Sequence, residues 1–245
     1  MTRRIALKAP RRLRRHTPLV LTLLTLLAIV VSLVWVFFRA PQDAVMGHLQ
    51  RIFYFHVASA YAMYVSAVVC GVGSALYLLR GKDIDDALAS AGAQTVLLFG
   101  GIVLVTGPIW ASKAWGTYWT WDPRLTMVLI TQLVYVGFVS IRHSLGESEL
   151  SKRVSACVGV LGTLNIPLIH LAVRAWGGQH PEVITGSGGG LQHVDMKIAL
   201  GLSIVAFTFL TAVLLWTSVG LHLAQTRVRR LRQQLASLPS EQVER

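Results

Sequence analysis

Long apolar runs broken by short polar stretches set the pattern of this chain. Six such runs span about 19–38, 57–79, 95–111, 125–141, 154–173 and 196–223. Each comes near or exceeds the roughly 20 residues an α-helix needs to cross bilayer hydrocarbon. The third and fourth hold only about 17 residues, the lower limit for a crossing, so their flanking polar positions are expected at the membrane surface. The first run is too long for a signal-peptide core, which is about 7 to 15 residues and ends in small residues. It closes on Trp35, Phe37, Phe38 and Arg39 and reads as a retained first span. The pattern predicts an all-α integral membrane protein with six transmembrane helices. A basic arm (1–18) precedes the membrane domain (19–223), and a basic tail (224–245) follows it.

Composition agrees: 53% of residues are apolar and 14% charged, against roughly a quarter charged in ordinary soluble domains. The net charge of +12 raises nucleic-acid binding as an alternative, which the placement of the charges removes. Seventeen of the 23 Lys and Arg residues fall in the arm, the tail and the segments after spans two and four. Arg39, Arg51, Lys113, Arg124 and Arg174 occupy the alternate segments. Basic residues concentrate on the cytoplasmic side of membrane proteins, so both termini are expected in the cytoplasm. On that side Lys82, Asp83, Asp85 and Asp86 read as a solvated turn, and the arginines after Thr226 suit a helix resting on anionic lipid. Cys70 and Cys157 both sit in apolar runs, which rules out a disulfide scaffold, a zinc ribbon and a CxxC redox pair. No P-loop, nucleotide fingerprint or internal repeat is present.

The outer segment between spans three and four carries the candidate chemistry. Trp110, Trp115, Trp119 and Trp121, with Tyr118, fall within twelve residues and include most of the chain's seven tryptophans. An interfacial aromatic belt would scatter one or two such residues per helix end. Trp115 and Trp119 would share a face on a helix, and Trp119 and Trp121 a side in an extended segment. A flat aromatic shelf at the water boundary is expected. It suits either a large planar ligand with polar edges or a quaternary ammonium cation. Asp122-Pro123 has the form of a helix N-cap followed by a first helical residue. Arg124 then sits in the first turn, placed to snorkel to phosphate or to grip a carboxylate.

Of eight histidines, His48, His56, His170, His180 and His193 fall in the outer half. His16, His143 and His222 are on the inner side. Copper or zinc needs three or four ligands at close spacing, and no such cluster is visible. Haem asks for two axial ligands, flat apolar walls and cations for its propionates, and the outer face supplies all three.

The stretch Trp115-Gly-Thr-Tyr118-Trp119-Thr-Trp121-Asp122-Pro-Arg124-Leu-Thr126 resembles the signature of the WWD haem-handling proteins (residues 115–126 here). The six spans, Arg51-Ile-Phe-Tyr-Phe-His56 and Asn165-Ile-Pro-Leu-Ile-His170 are similar, within that superfamily, to the cytochrome c maturation protein C (haem exporter protein C) family. The resemblance covers roughly residues 40–182. It implies His56 and His180 as axial ligands to the iron of haem b, and Trp115, Trp119, Trp121 and Asp122 as the motif that contacts haem and its chaperone. His170 matches a histidine common in that span but not an axial ligand. Pro123, Ala58, Tyr61 and Gly177-Gly178 depart from the family pattern and affect the packing around the ligands.

The function so implied is haem delivery in c-type cytochrome biogenesis, at the periplasmic face of a bacterial inner membrane, and not catalysis. Arg124, with Lys113 or Arg51, would neutralise propionates. The implied partners are a membrane-anchored periplasmic haem chaperone, ABC transporter subunits, a small single-span subunit and membrane lipid, with no nucleic acid. Two other classes fit the residues less well. A permease subunit with an aromatic substrate cage would need charged groups along the bundle interior. A b-type electron-transfer cytochrome would pair histidines on facing helices, for which His143 and His222 are the inner candidates.

Overall fold

The computed structural model describes residues 17–146, 148–177, 191 and 193–237. Six helices follow one another: α1 (Thr17–Val34), α2 (Gln50–Arg80), α3 (Asp83–Trp115), α4 (Pro123–Ser144), α5 (Glu149–Trp176) and α6 (Val194–Ala236). A π-helical turn, Trp35–Arg39, finishes α1. All six are long and apolar enough to cross a membrane.

The helices overrun the apolar runs that predict them. α3 has 33 residues where about 17 were expected, and α4 has 22. Ala87, Ala89, Ser90, Ala91 and Ala93 are buried on the extra turns of α3, and such small residues carry little hydropathy while packing well between helices. α2 likewise begins at Gln50, so His56 lies within the second helix and not in the segment before it. Phe53 and Tyr54 explain the early start: both are buried against Val36, Ala40, Met196, Ala199 and Leu200. α6, with 43 residues and thus about 65 Å long, runs on without interruption through Arg227, Arg229 and Arg230.

α2 is the central helix, packed on α3, α5 and α6, while α4 joins α3 to α5 and α1 leans mainly on α6. Between helices in lipid the hydrophobic drive is small, and association rests on close packing and interhelical hydrogen bonds. Both are present. A Cβ added at Gly73 would stand 2.6 Å from the Ala89 nitrogen, and one at Gly92 would stand 2.6 Å from the Cys70 nitrogen. The Thr163 hydroxyl donates to the Ala67 carbonyl at 2.6 Å and joins α5 to α2. Asn165 Nδ2 donates to the Met127 carbonyl at 3.1 Å and to Thr131 Oγ1 at 2.7 Å, joining α5 to α4. Ser32 and Ser203 share a hydrogen bond of 2.9 Å between α1 and α6.

The helix ends at the α2–α3 turn carry charge. Asp86 takes both Arg142 nitrogens, at 2.7 and 2.9 Å, and lies 3.6 Å from Lys152 Nζ. Arg80 grips Asp85, Arg230 reaches Asp83 at 2.7 Å, and the Tyr77 hydroxyl donates to Glu149. The expected solvated turn is therefore an ion-paired clamp. Asp85 and Asp86 are 1% and 7% exposed, because cations on α2, α4 and α5 converge on them.

Candidate functional site

At the other end of the bundle, α3 stops at Trp115 because Gly116 takes the left-handed conformation (φ 74°) and returns its N–H to the Ser112 carbonyl. Glycine adopts that geometry at no steric cost. The link from 116 to 122 is not helical, so Trp115 and Trp119 do not share a helix face as expected. Trp119 and Trp121 do fall together, two residues apart: their centroids are 5.7 Å apart and their planes cross at 86°. Edge-to-face packing is favoured by ring quadrupoles, and it replaces the expected flat shelf with an angled pair. Trp121 is 75% exposed and Tyr118 66%, which leaves large aromatic surfaces at this end. Trp110 belongs instead with the packed interior, tilted against Phe53 at 6.5 Å.

Asp122 performs the expected capping. Its carboxylate accepts the Arg124 N–H at 2.9 Å, its carbonyl accepts the Thr126 hydroxyl, and Pro123 opens α4. Arg124 follows in the first turn, and its Nε is buried without a hydrogen-bond partner among the described residues. A buried charged donor left unbonded is costly, roughly 1–3 kcal/mol or more, so this guanidinium gains from an incoming carboxylate. Tyr64 and His170 are its electrostatic neighbours. Arg51 is already engaged: it donates to the Phe37 carbonyl at 3.1 Å and its guanidinium stands 5.3 Å over the Phe37 ring. Lys113 is exposed in the last turn of α3.

His56 is half-buried on the second turn of α2, facing α3. Its Nδ1 lies 2.9 Å from Thr106 Oγ1, and a Cβ added at Gly107 would come within 3.2 Å of its Cε1. Among the described residues its Nε2 makes no hydrogen bond. The sequence offered no signal for Thr106 or Gly107, which are ordinary residues of an apolar helix fifty positions away. His170 packs edge-on against Tyr64 at 5.5 Å. His48 pairs with Gln42, and His193 caps α6 by accepting the Asp195 N–H. His180 lies outside the described residues. His143 and His222 border a cleft of about 210 Å³ at the ion-paired end, lined also by Ser90, Gln94 and Arg142.

An imidazole with a bare nitrogen, the exposed Trp121 indole and the unbonded Nε of Arg124 thus stand at one end of the bundle, a donor set that fits haem. Comparison with known proteins points the same way. Residues 6–234 match the family model described as Heme exporter protein C. The chain belongs to that family. It is 33% identical over 208 residues to the Heme exporter protein C of Bradyrhizobium diazoefficiens, covering 84% of this chain and 76% of the relative. The Escherichia coli (strain K12) protein of the same name is 33% identical over 200 residues, covering 79% and 78%. A ccmC-like mitochondrial cytochrome c biosynthesis protein of Marchantia polymorpha is 34% identical over 190 residues, covering 78% and 79%. Family membership and six apolar helices together make this a multi-pass membrane protein of haem handling in cytochrome c biogenesis.

Proposed function

We propose that this protein holds haem b at the periplasmic face of the inner membrane and delivers it to a membrane-anchored haem chaperone. His56 and His180 would supply the two ligands to the iron. Trp115, Trp119 and Trp121 line the porphyrin, Asp122 shapes their link, and Arg124, with Lys113, meets the propionates. Arg51 is a poorer propionate partner because its guanidinium is committed to Phe37. An ABC transporter and a small single-span subunit act beside it to release the loaded chaperone. Both termini lie in the cytoplasm, following the basic residues.

The observation that carries this reading is the bare Nε2 of His56 at the same bundle end as the exposed Trp121 indole and the buried Nε of Arg124. Axial ligands from two separate segments can be surrendered one at a time, and exposed rings leave a porphyrin edge open to a partner. Both properties suit delivery better than permanent retention. The cleft between His143 and His222, at about 210 Å³, is below the roughly 300–1,000 Å³ of small-molecule sites, which argues against a second, inner haem.

Haem stoichiometry and the optical spectrum of the detergent-purified protein test the proposal. One low-spin haem per chain is expected, with most of its absorbance lost in His56→Ala and in His180→Ala and kept in His222→Ala. Normal haem in both of the first two variants would overturn the ligand assignment.

A further inference from the structure

Thr106 stands between two partners, and its single hydroxyl proton decides how His56 behaves. Its Oγ1 is 2.7 Å from the Ile102 carbonyl and 2.9 Å from His56 Nδ1. A carbonyl only accepts, and two oxygens at that separation repel unless a proton lies between them. The hydroxyl proton is therefore spent on Ile102, in the i−4 bond common for threonine on an apolar helix. Toward His56 the hydroxyl has only lone pairs to offer. Nδ1 must then carry the hydrogen, and in a neutral imidazole that leaves the lone pair on Nε2.

Gly107 completes the seat. With a side chain there, a Cβ would press on His56 Cε1, the carbon between the two ring nitrogens, at 3.2 Å. Neighbouring residues on α3 therefore set both the tautomer and the space for the ring. We propose that Thr106 is the positioning residue for haem capture, holding His56 as the Nδ1–H tautomer so that Nε2 is presented to iron. The inference rests on the reading that His56 ligates haem.

The choice of acceptor bears on function. A hydrogen bond from the distal ring nitrogen raises the basicity of a ligating histidine. A carboxylate in that place would push the ring toward imidazolate and bind ferric iron hard. A hydroxyl whose proton is already committed is a neutral and weaker acceptor, so the ring is oriented while the iron bond stays releasable. That is the requirement on a protein that gives its haem away.

The test uses the full-length protein in detergent, haem-free and then titrated with haemin. In the haem-free protein, 15N NMR of labelled histidine, assigned by subtraction of the His56→Ala spectrum, should show His56 protonated at Nδ1. Thr106→Ser, which keeps the hydroxyl, should preserve that state. Thr106→Val, of the same shape without the hydroxyl, should show both tautomers and weaken haemin binding about tenfold, with a raised haem midpoint potential. Three results would count against the inference. A wild-type His56 protonated at Nε2 overturns the tautomer directly, without any variant. Thr106→Val with wild-type affinity and potential, while His56→Ala loses haem, overturns the positioning role and leaves the ligand reading standing. His56→Ala with an unchanged haem spectrum overturns the ligand reading and the inference with it.

Discussion

Asp122 shows how one residue can serve structure and site together. Its carboxylate starts α4 by accepting the Arg124 N–H, and the same bond fixes where the Arg124 side chain departs from the helix. Its role was legible because Asp-Pro ahead of an apolar run has a local physical meaning that needs no tertiary contact. Asp122→Ala should lower stability by about 1 kcal/mol, seen as a reduced thermal midpoint by circular dichroism. Asp122→Asn, an equally good cap, should restore most of it. His56 is the opposite case. Its residue type marked it as a ligand candidate, but its partner Thr106 sits on another helix, and no local pattern reports a hydrogen bond across fifty residues. The tryptophans fall between. Trp119 and Trp121 pair as their spacing of two suggests, yet their perpendicular packing depends on the αL turn at Gly116 that ended the helix first.

The pairing of α2 with α3 is the most extensive in the bundle, and its character explains why α3 outruns its apolar run. Cys70, Gly73, Ala89 and Gly92 let the two backbones approach until no side chain fits between them. Such residues are only weakly apolar, although in lipid they provide the packing surface. Gly92→Val should cost about 1–3 kcal/mol, as overpacking of a filled contact does. Gly101→Ala, on the same helix where an added Cβ meets nothing within 4 Å, should be silent or slightly favourable. Thermal unfolding of the two variants in detergent checks the contrast. Equal melting would mean that α2 and α3 are not so closely apposed.

Across the bundle, the two ends do different work. The ion-paired end ties α3 to α4 and α5 through Asp86, whose partners Arg142 and Lys152 are themselves largely buried. Asp86→Ala leaves both cations without that partner and should destabilise the fold by about 3 kcal/mol or more, measured as a shifted denaturation midpoint. The tryptophan end holds the exposed rings. With Cys157 replaced by Ser and Cys70 buried, Tyr118→Cys should react with a membrane-impermeant maleimide added outside intact cells, and Leu235→Cys only after permeabilisation. The reverse result would invert the topology inferred from the basic residues.

Helix number, and with it the membrane setting, follows from composition and order alone, because crossing hydrocarbon demands about 20 apolar residues per span whatever the neighbours are. The same holds for the expected orientation, which depends on a count of charges, and for the capping at Asp122, which depends on adjacent residues. Tertiary structure decided the rest. The extra turns of α3 rest on small residues that acquire value only when another backbone lies against them, and the early start of α2 on the burial of Phe53 and Tyr54. The clamp at Asp86, the angle between Trp119 and Trp121 and the seat of His56 between Thr106 and Gly107 all arise where distant segments meet. Hydrogen bonds and close contacts are short-range, so only the packed bundle determines which of them form.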